Sequence, residues 1–454
     1  MVASRTELPP DELPNDLAPL PQGWNYAPLV LLADERGISY GIVQPGTDDP
    51  NGVPIVRVNN LKDGRVVTDG SMRVSHEIEK KYARTRLRGG EVLLSLVGSL
   101  GECAVVSEQL VNWNVARAVA VISVKPEIGS RWVALCLRSH TLQHFIHTWA
   151  TTTVQATLNL RDVAKLPIPI PPPAERDAIS NLLWVLDDKI ELNRRMNETL
   201  EGMVRAIFKS WFVDFDPVRA KVDGHQPPHM DAEFARAFPS RFTKSKHGPI
   251  PDGWRIVPLP EAIEVNPSRP LPSGENAPYL DMGNMPTRSA RATAWISRTF
   301  SSGMRFANGD SLVARITPCL ENGKTAFVDF LPDGKIGWGS TEYIVLRCKP
   351  PLPPEYSYFL ARTDEFRSHT IANMTGTSGR QRVPSSCLDS FPVVVPSPTV
   401  AERFGRIASS IMSTMKQRDE ESGTLSAIRD ALLPKLLSGE LRLKEATRIA
   451  EKTE

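Results

Sequence analysis

A nucleotide-handling chain needs a glycine-rich cradle, and the nearest approach to one here is Gly323-Lys324-Thr325. A phosphate loop requires another glycine five positions before Gly323, because its backbone N–H groups wrap the phosphates. That position is Pro318, which has no N–H to donate, so ATP binding is excluded at this site. His76-Glu77 lacks the second histidine of a zinc-protease helix, and no Gly-x-Ser-x-Gly elbow occurs. Gly98-Ser99-Leu100-Gly101 reads as a tight turn between apolar runs and opens no dinucleotide-binding helix. His225, His229 and His247 fall in a proline- and lysine-containing stretch without a cysteine or paired-histidine spacing, which reads as a linker and not a metal site. Cys103, Cys136, Cys319, Cys348 and Cys387 form no Cys-x-x-Cys pair and read as reduced, structural thiols. The Asn/Asp-Pro-Pro-aromatic loop of a DNA amino-methyltransferase is missing from the sequence. The residue patterns therefore argue against an enzyme.

What remains is hydrogen-bonding side chains in loops. Arg57, Asn59, Asn60 and Lys62 stand where a strand-like run gives way to Asp63-Gly64. Arginine and asparagine are the side chains that bind guanine and adenine edges through paired hydrogen bonds. Two polar, hydroxyl-rich stretches occupy equivalent places before proline-rich runs. One contains Gln155 and Asn159, followed by Arg161; the other contains Ser378, Arg380, Gln381 and Arg382. Taken singly, each residue reads as a solvated loop or a helix cap. Taken as two loops in register, they point to ligand contact.

The elements that must position these loops also occur twice. Pro21-Gln22-Gly23-Trp24 opens a strand-rich stretch ending in Leu166-Pro167-Ile168-Pro169-Ile170-Pro171-Pro172-Pro173-Ala174-Glu175-Arg176, and Pro251-Asp252-Gly253-Trp254 opens another ending in Phe391-Pro392-Val393-Val394-Val395-Pro396-Ser397-Pro398 and Ala401-Glu402-Arg403. The shift of roughly 220 to 230 residues is far longer than a solenoid period, so a whole domain-plus-helix unit is duplicated. Short apolar runs bounded by turn residues, such as residues 92–97, 119–124, 309–315 and 342–347, carry strand signatures. Residues 131–148 and 354–371 read as helical.

After each proline run the apolar period lengthens to three and a half. Leu183, Leu186, Ile190, Asn193, Asn197, Leu200, Val204, Ile207 and Trp211 keep the four-and-three spacing of a coiled-coil seam. Phe404, Ile407, Ile411, Thr414, Arg418, Glu421, Leu425, Ile428 and Leu432 form the second seam, also apolar at its ends and polar in its middle. Polar seam residues cost stability and select register, so the two helices are expected to lie together; two unrelated helices packing on their own domains are the alternative. A helix over residues 183–211 would span about 40 Å, close to the ~34 to 36 Å of one DNA turn.

With 454 residues, 41% hydrophobic and 23% charged, the chain can bury more than one core. No apolar run reaches the ~18 residues of a membrane span, and the lead is acidic and proline-rich, so a cytoplasmic protein without membrane contact is expected. The net charge of +2 is low for unaided binding of a phosphate backbone, so a DNA-binding chain of this composition would need partners.

The Pro-x-Gly-Trp openings, the Leu-Pro-Ile-Pro-Ile-Pro-Pro-Pro-x-Glu-Arg junction, Leu186-Asp187-Asp188-Lys189-Ile190-Glu191-Leu192-Asn193, Lys209-Ser210-Trp211-Phe212-Val213-Asp214-Phe215 and Leu432-Leu433-Pro434-Lys435-Leu436-Leu437-Ser438-Gly439-Glu440-Leu441 together resemble the DNA specificity subunit of type I restriction-modification systems. The resemblance runs from Pro21 to Leu441 and rests on the order and duplication of the motifs; the second junction is less proline-rich. It implies an α+β architecture: two strand-rich target recognition domains joined by two long antiparallel helices that form a coiled coil with a pseudo-two-fold internal repeat. It implies a flexible lead at 1–20, recognition domains at 21–173 and 251–398, spacer helices at 174–212 and 399–440, a linker at 213–250 and a tail at 441–454. Each recognition domain would read half of a bipartite, asymmetric double-stranded DNA sequence. The helices would set the spacing and dock two modification subunits carrying S-adenosylmethionine. Restriction subunits using ATP and Mg would join the assembled complex, and this chain would hold no cofactor of its own. Two rival readings are a coiled-coil assembly protein without a DNA role and a stand-alone methyltransferase or nuclease.

Overall fold

The computed structural model describes residues 14, 17–152, 156–377 and 379–441. Most of the expected N-terminal lead and C-terminal tail lies outside the described residues. The chain divides into two compact units, one of Met1–Lys189 with Thr424–Glu454 and one of Ile190–Gly423.

In the first unit, Pro21 to Trp24 forms a turn closed by the Trp24 N–H on the Pro21 carbonyl, with Gly23 at φ 87°, a backbone region that excludes most side chains. Pro251 to Trp254 repeats it in the second unit, with Gly253 at φ 78°. This requirement explains why the motif occurs twice. Strand Asn25–Pro28 then pairs antiparallel with Pro167–Ile170, so the proline run is a strand of a two-stranded sheet. Proline's missing N–H is tolerated at such an edge. Arg255–Pro258 and Pro392–Val395 pair in the same way.

The central sheet of the first unit has the order Ala33–Tyr40, Val119–Val124, Val92–Ser95, Cys103–Val105. Its two middle strands are apolar at successive positions because both faces are covered. Val92, Leu94, Ala120 and Ile122 face one core with Trp132 and Leu135. Leu93, Val119 and Val121 face another with Val56 and Leu110. A half-buried sheet would have alternated with polar residues. The second unit repeats the order with Ile263–Val265, Tyr343–Cys348, Ser311–Ala314 and Thr325–Phe327. There Val313 and Ile344 face one core, and Leu312 and Val345 the other.

The stretches expected to be helical are helical, each as two helices. Ser130–Arg138 and His140–Trp149 break at Ser139, whose hydroxyl accepts the Leu142 N–H. Glu355–Ala361 and Asp364–Ala372 break at Thr363, which caps Phe366 in the same way. A side chain that satisfies orphan N–H groups starts a new helix where a longer one could have continued.

Two helices of 40 residues each follow the proline runs, Pro173–Phe212 and Pro398–Leu437. In the first unit, Ile179 and Leu183 of the first long helix share a core with Leu432, Leu433, Leu436 and Leu437 of the second. In the second unit, the Asn193 amide donates to Glu421 Oε2 at 2.7 Å and Ser422 Oγ at 3.3 Å. Asn197 donates to Asp419 Oδ1 at 2.8 Å and the Met415 carbonyl at 3.1 Å, and Phe208 meets Phe404. Rising numbers on one helix meet falling numbers on the other, so the pair is antiparallel.

The first seam is buried at Leu183, Leu186, Asn193, Asn197, Val204 and Trp211, and half-buried at Ile190, Leu200 and Ile207. The second differs from expectation. Phe404 and Leu432 are buried, but Ile407, Ile411, Leu425 and Ile428 are only half-buried, and the deep positions are Ala408, Met412 and Met415. Near its N-terminal end this helix also packs on Tyr356, Tyr358 and Phe359, so a wider stripe is covered than a two-helix seam requires. Spacing alone selects Ile407 and Ile411, which lie beside the true centre line.

Residues 213–250 also differ from the expected linker. They form the helices Asp216–Val222 and Ala232–Ala235 and the hairpin Phe242–Ser245 with Gly248–Pro251. Phe215, Val218, Ala235 and Phe238 are buried with Trp211, Phe212 and Trp254. The aromatic residues supply apolar area that a free linker would leave in water. No helix among the described residues is long and apolar enough to cross a membrane.

Candidate nucleic-acid interface

Backbone hydrogen bonds carry several loops of the first unit to one edge. Beyond strand Val92–Ser95, the Leu96 N–H donates to the Ala118 carbonyl at 2.8 Å, the Leu158 N–H donates to the Leu96 carbonyl at 2.9 Å, and Val97 bridges Thr157. On the other side of residues 116–118, the Ala116 N–H donates to the Val56 carbonyl at 2.9 Å and the Arg117 N–H to the Ile42 carbonyl at 2.8 Å. Arg57, Arg117, the turn at Gly98-Ser99 and the strand Ala156–Thr157 thus emerge side by side.

The second unit repeats the bonds on the first of these two sides. The Arg315 N–H donates to the Glu342 carbonyl at 2.9 Å, the Val383 N–H donates to the Arg315 carbonyl at 2.8 Å, and Ile316 bridges Arg382. Strand Asn276–Leu280 runs parallel to Gly337–Gly339, as Val53–Val56 does to Asn114–Val115. Asp281 therefore takes the place of Arg57, Thr341 that of Arg117, and Arg382 that of Thr157. The segment before Val383 is tied further: Gln381 donates its N–H to Thr317 Oγ1 at 3.1 Å and accepts the Thr317 N–H at 3.0 Å. The backbones match while the charges do not.

The loop residues singled out from the sequence fall in different environments. Arg57 is half-buried and Asn59 exposed. Asn60 is a correction: only 3% exposed, it accepts the Arg57 N–H at 2.9 Å and donates to the Val67 carbonyl at 2.9 Å. Its amide holds the turn and is not presented to a ligand. Lys62 is exposed in the short hairpin Leu61–Lys62 with Arg65–Val66, whose Gly64 lies against the Arg138 guanidinium. Arg138 in turn bonds Asp187 of the first long helix at 2.7 Å, so Lys62 stands beside the helix contact. Asn159 is exposed, its amide 3.4 Å from Asp162 Oδ2, and Arg161 is exposed on the helix Leu160–Lys165. Arg380 is exposed and Gln381 half-buried. Arg382 pairs with Glu342 at 2.7 Å. Gln155 and Ser378 lie outside the described residues.

Sequence reading missed Arg117, Thr317 and Glu342. Arg117 sits between two apolar runs with no turn signature; only the pairing of distant strands marks it.

Elsewhere, groups that could do chemistry are occupied or shielded. The Lys324 ammonium donates to the Met282 and Gly283 carbonyls, and Thr325 is 3% exposed. Burial pushes the Cys103 and Cys348 thiols up to about 12, out of the range of a thiolate nucleophile at neutral pH. Among the described residues, no group of three or more His, Cys, Asp or Glu could hold a metal ion.

In the second unit, a charged cluster fastens the strand-rich region to both long helices. Arg291, 5% exposed, donates from Nε to both Asp329 oxygens at 2.7 Å and from Nη1 to Asp419 at 2.8 Å. Asp419 also receives the Asn197 amide. Burial pushes the Asp329 and Asp419 carboxyls up, and the Arg291 guanidinium pulls both back down.

A family model for the type I restriction modification DNA specificity domain matches residues 45–202. The EcoBI specificity subunit of Escherichia coli is 32% identical over 194 residues, 42% of this chain and 40% of that relative. Against that relative the chain spans well under two thirds of the length. The HindI specificity subunit of Haemophilus influenzae is 25% identical over 426 residues, 79% of this chain and 88% of its own. The crystal structure of a type I restriction-modification S subunit from M. genitalium shares the fold, with a TM-score of 0.50 at 15% identity over 94% of this chain and 97% of that one. The duplicated strand-rich units and the paired long helices agree with these similarities: residues 45–202 match the type I restriction modification DNA specificity domain, and the chain as a whole is similar, at lower identity, to type I specificity subunits.

Proposed function

We propose that the chain reads DNA for a restriction-modification complex and carries out no chemistry itself. Residues 21–173 and 251–398 each read one half of a bipartite, asymmetric double-stranded sequence. The two long helices set the gap between halves and dock two modification subunits, which bring S-adenosylmethionine and methylate adenine. Restriction subunits using ATP and Mg join that assembly, and the complex acts in the cytoplasm.

The observation that carries this reading is the repeated edge of loops, built on matching backbone bonds but furnished with different side chains. Two matching scaffolds with unlike side chains suit two half-sites of unlike sequence. An exposed apolar line on the first long helix supports docking: Val185, Leu192, Met196 and Met203 are 64, 51, 37 and 52% exposed. Their spacing of seven, four and seven keeps them on one face, where a partner's helix would cover them. Partners enclosing the duplex also suit a net charge of only +2.

The test is to express the chain with its modification subunits and sequence the methylated adenines. Two short motifs at a fixed separation are expected. A single contiguous motif would refute two readers, and S-adenosylmethionine binding by the purified chain alone would refute the division of labour.

A further inference from the structure

We infer that Arg117 reads a guanine edge in the half-site bound by the first unit; this rests on the function proposed above. The residue lies at the centre of the edge, between the loop that starts at Arg57 and the turn at Gly98-Ser99 with the strand Ala156–Thr157. Its backbone is pinned on both sides. Ala116 and Arg117 donate to Val56 and Ile42, the Ala118 carbonyl accepts from Leu96, and the Val119 N–H returns to the Ala116 carbonyl at 3.0 Å. The side chain is exposed, and among the described residues its guanidinium has no hydrogen-bond or ion-pair partner. Arg36, Arg73, Arg86 and Arg138 of the same unit are all engaged with carboxylates or carbonyls. A fork of donors held on a rigid backbone, without an internal partner, suits the paired O6 and N7 acceptors of guanine.

The second unit separates this assignment from a phosphate contact. Phosphates are the same in both half-sites, so a cation that only holds the backbone is needed equally by both readers. The counterpart of Arg117 is Thr341, and beside it Glu342 is paired to Arg382. The neighbouring strand bonds are repeated around this position while its charge is changed, as expected of a base-reading position in an asymmetric target.

The experiment uses the full chain assembled with its modification subunits. Arg117→Ala and Arg117→Lys are compared with wild type by sequencing methylated adenines and by measuring affinity against salt concentration. Both variants should lose discrimination at one G·C position of one half-site, by between about 5- and 150-fold, while the other half-site is unchanged. The lysine variant keeps the charge but not the fork, so it should bind non-specific DNA as wild type does. Uniform weakening with an unchanged motif, and a salt slope reduced by about one in the alanine variant, would identify a phosphate contact and overturn the inference. An unchanged motif with unchanged affinity would overturn it too. If wild type itself yields no two-part motif, the underlying function fails instead.

Discussion

Replacing Arg291 by alanine should cost about 3 kcal/mol of stability at neutral pH, and the loss should shrink in acid. The guanidinium is 5% exposed and is bonded to both Asp329 and Asp419, whose side chains are 19 and 24% exposed. Removing one partner of a buried pair costs about 3–5 kcal/mol, because the opposite charge stays desolvated. Here two carboxylates are left side by side, but each keeps contact with water and Asp419 keeps the Asn197 amide, so the lower end applies. Burial already pushes both carboxyls up, and in the variant the opposing pull of Arg291 is gone. A carboxyl with a raised folded-state value binds protons more tightly folded than unfolded. Its penalty is absent below the unfolded value of about 3.9 and grows as pH rises through the folded one. Urea denaturation of the full chain at pH 5 and pH 7.5 should therefore show a clearly smaller deficit at the lower pH. Adding Asp329→Asn and Asp419→Asn to the variant should recover most of the loss at pH 7.5. A deficit under about 0.5 kcal/mol at pH 7.5, or one equal at both pH values, would show that water screens the cluster and would refute the reasoning.

Glu79→Gln tests the opposite sign. The Arg86 hydrogen bond, helped by Asn114, holds the Glu79 carboxyl low against the effect of burial. Its stabilisation is present above the unfolded value of about 4.3 and is lost as pH falls through the depressed one. The variant should have a lower Tm at pH 7 and a flatter decline between pH 5 and 3; a parallel decline would contradict this. A seven-residue deletion at matched places in both long helices removes about 10 Å of helix, or about three base pairs. Mapping the methylated motif should show a correspondingly shorter gap with both half-sites intact; an unchanged gap in an assembled complex would rule out the helices as the ruler.

The two-fold repeat, the strands and the long helices could be read from sequence because each is dictated by local chemistry. The Pro-x-Gly-Trp turn demands a glycine at positive φ, and runs such as residues 92–94 and 119–122 are apolar throughout because both sheet faces are covered. The polar centre of the first seam could also be read, since Asn193 and Asn197 stood out from their apolar neighbours. The second seam was displaced because a helix packed on both a partner helix and its own domain buries more than one line. Residues 213–250 read as a linker by their histidine, proline and lysine content, but Phe215, Phe234 and Phe238 tie them to the core around Trp211 and Trp254.

Sequence by itself determined that the chain is a duplicated strand-and-helix unit with polar loops at equivalent places in the two copies. Tertiary structure alone decided which of those loops share an edge and which side chains remain available there. Asn60 is consumed by its own turn, Lys62 sits beside the helix contact, and Arg117 joins the edge through its own bond to Ile42 and the bonds of its neighbours Ala116 to Val56 and Ala118 to Leu96, all between residues far apart in the chain. Periodicity reports which way a residue faces within its own element. Only the closing of long-range backbone hydrogen bonds decides which distant residues stand side by side, and those bonds leave no local pattern in the chain.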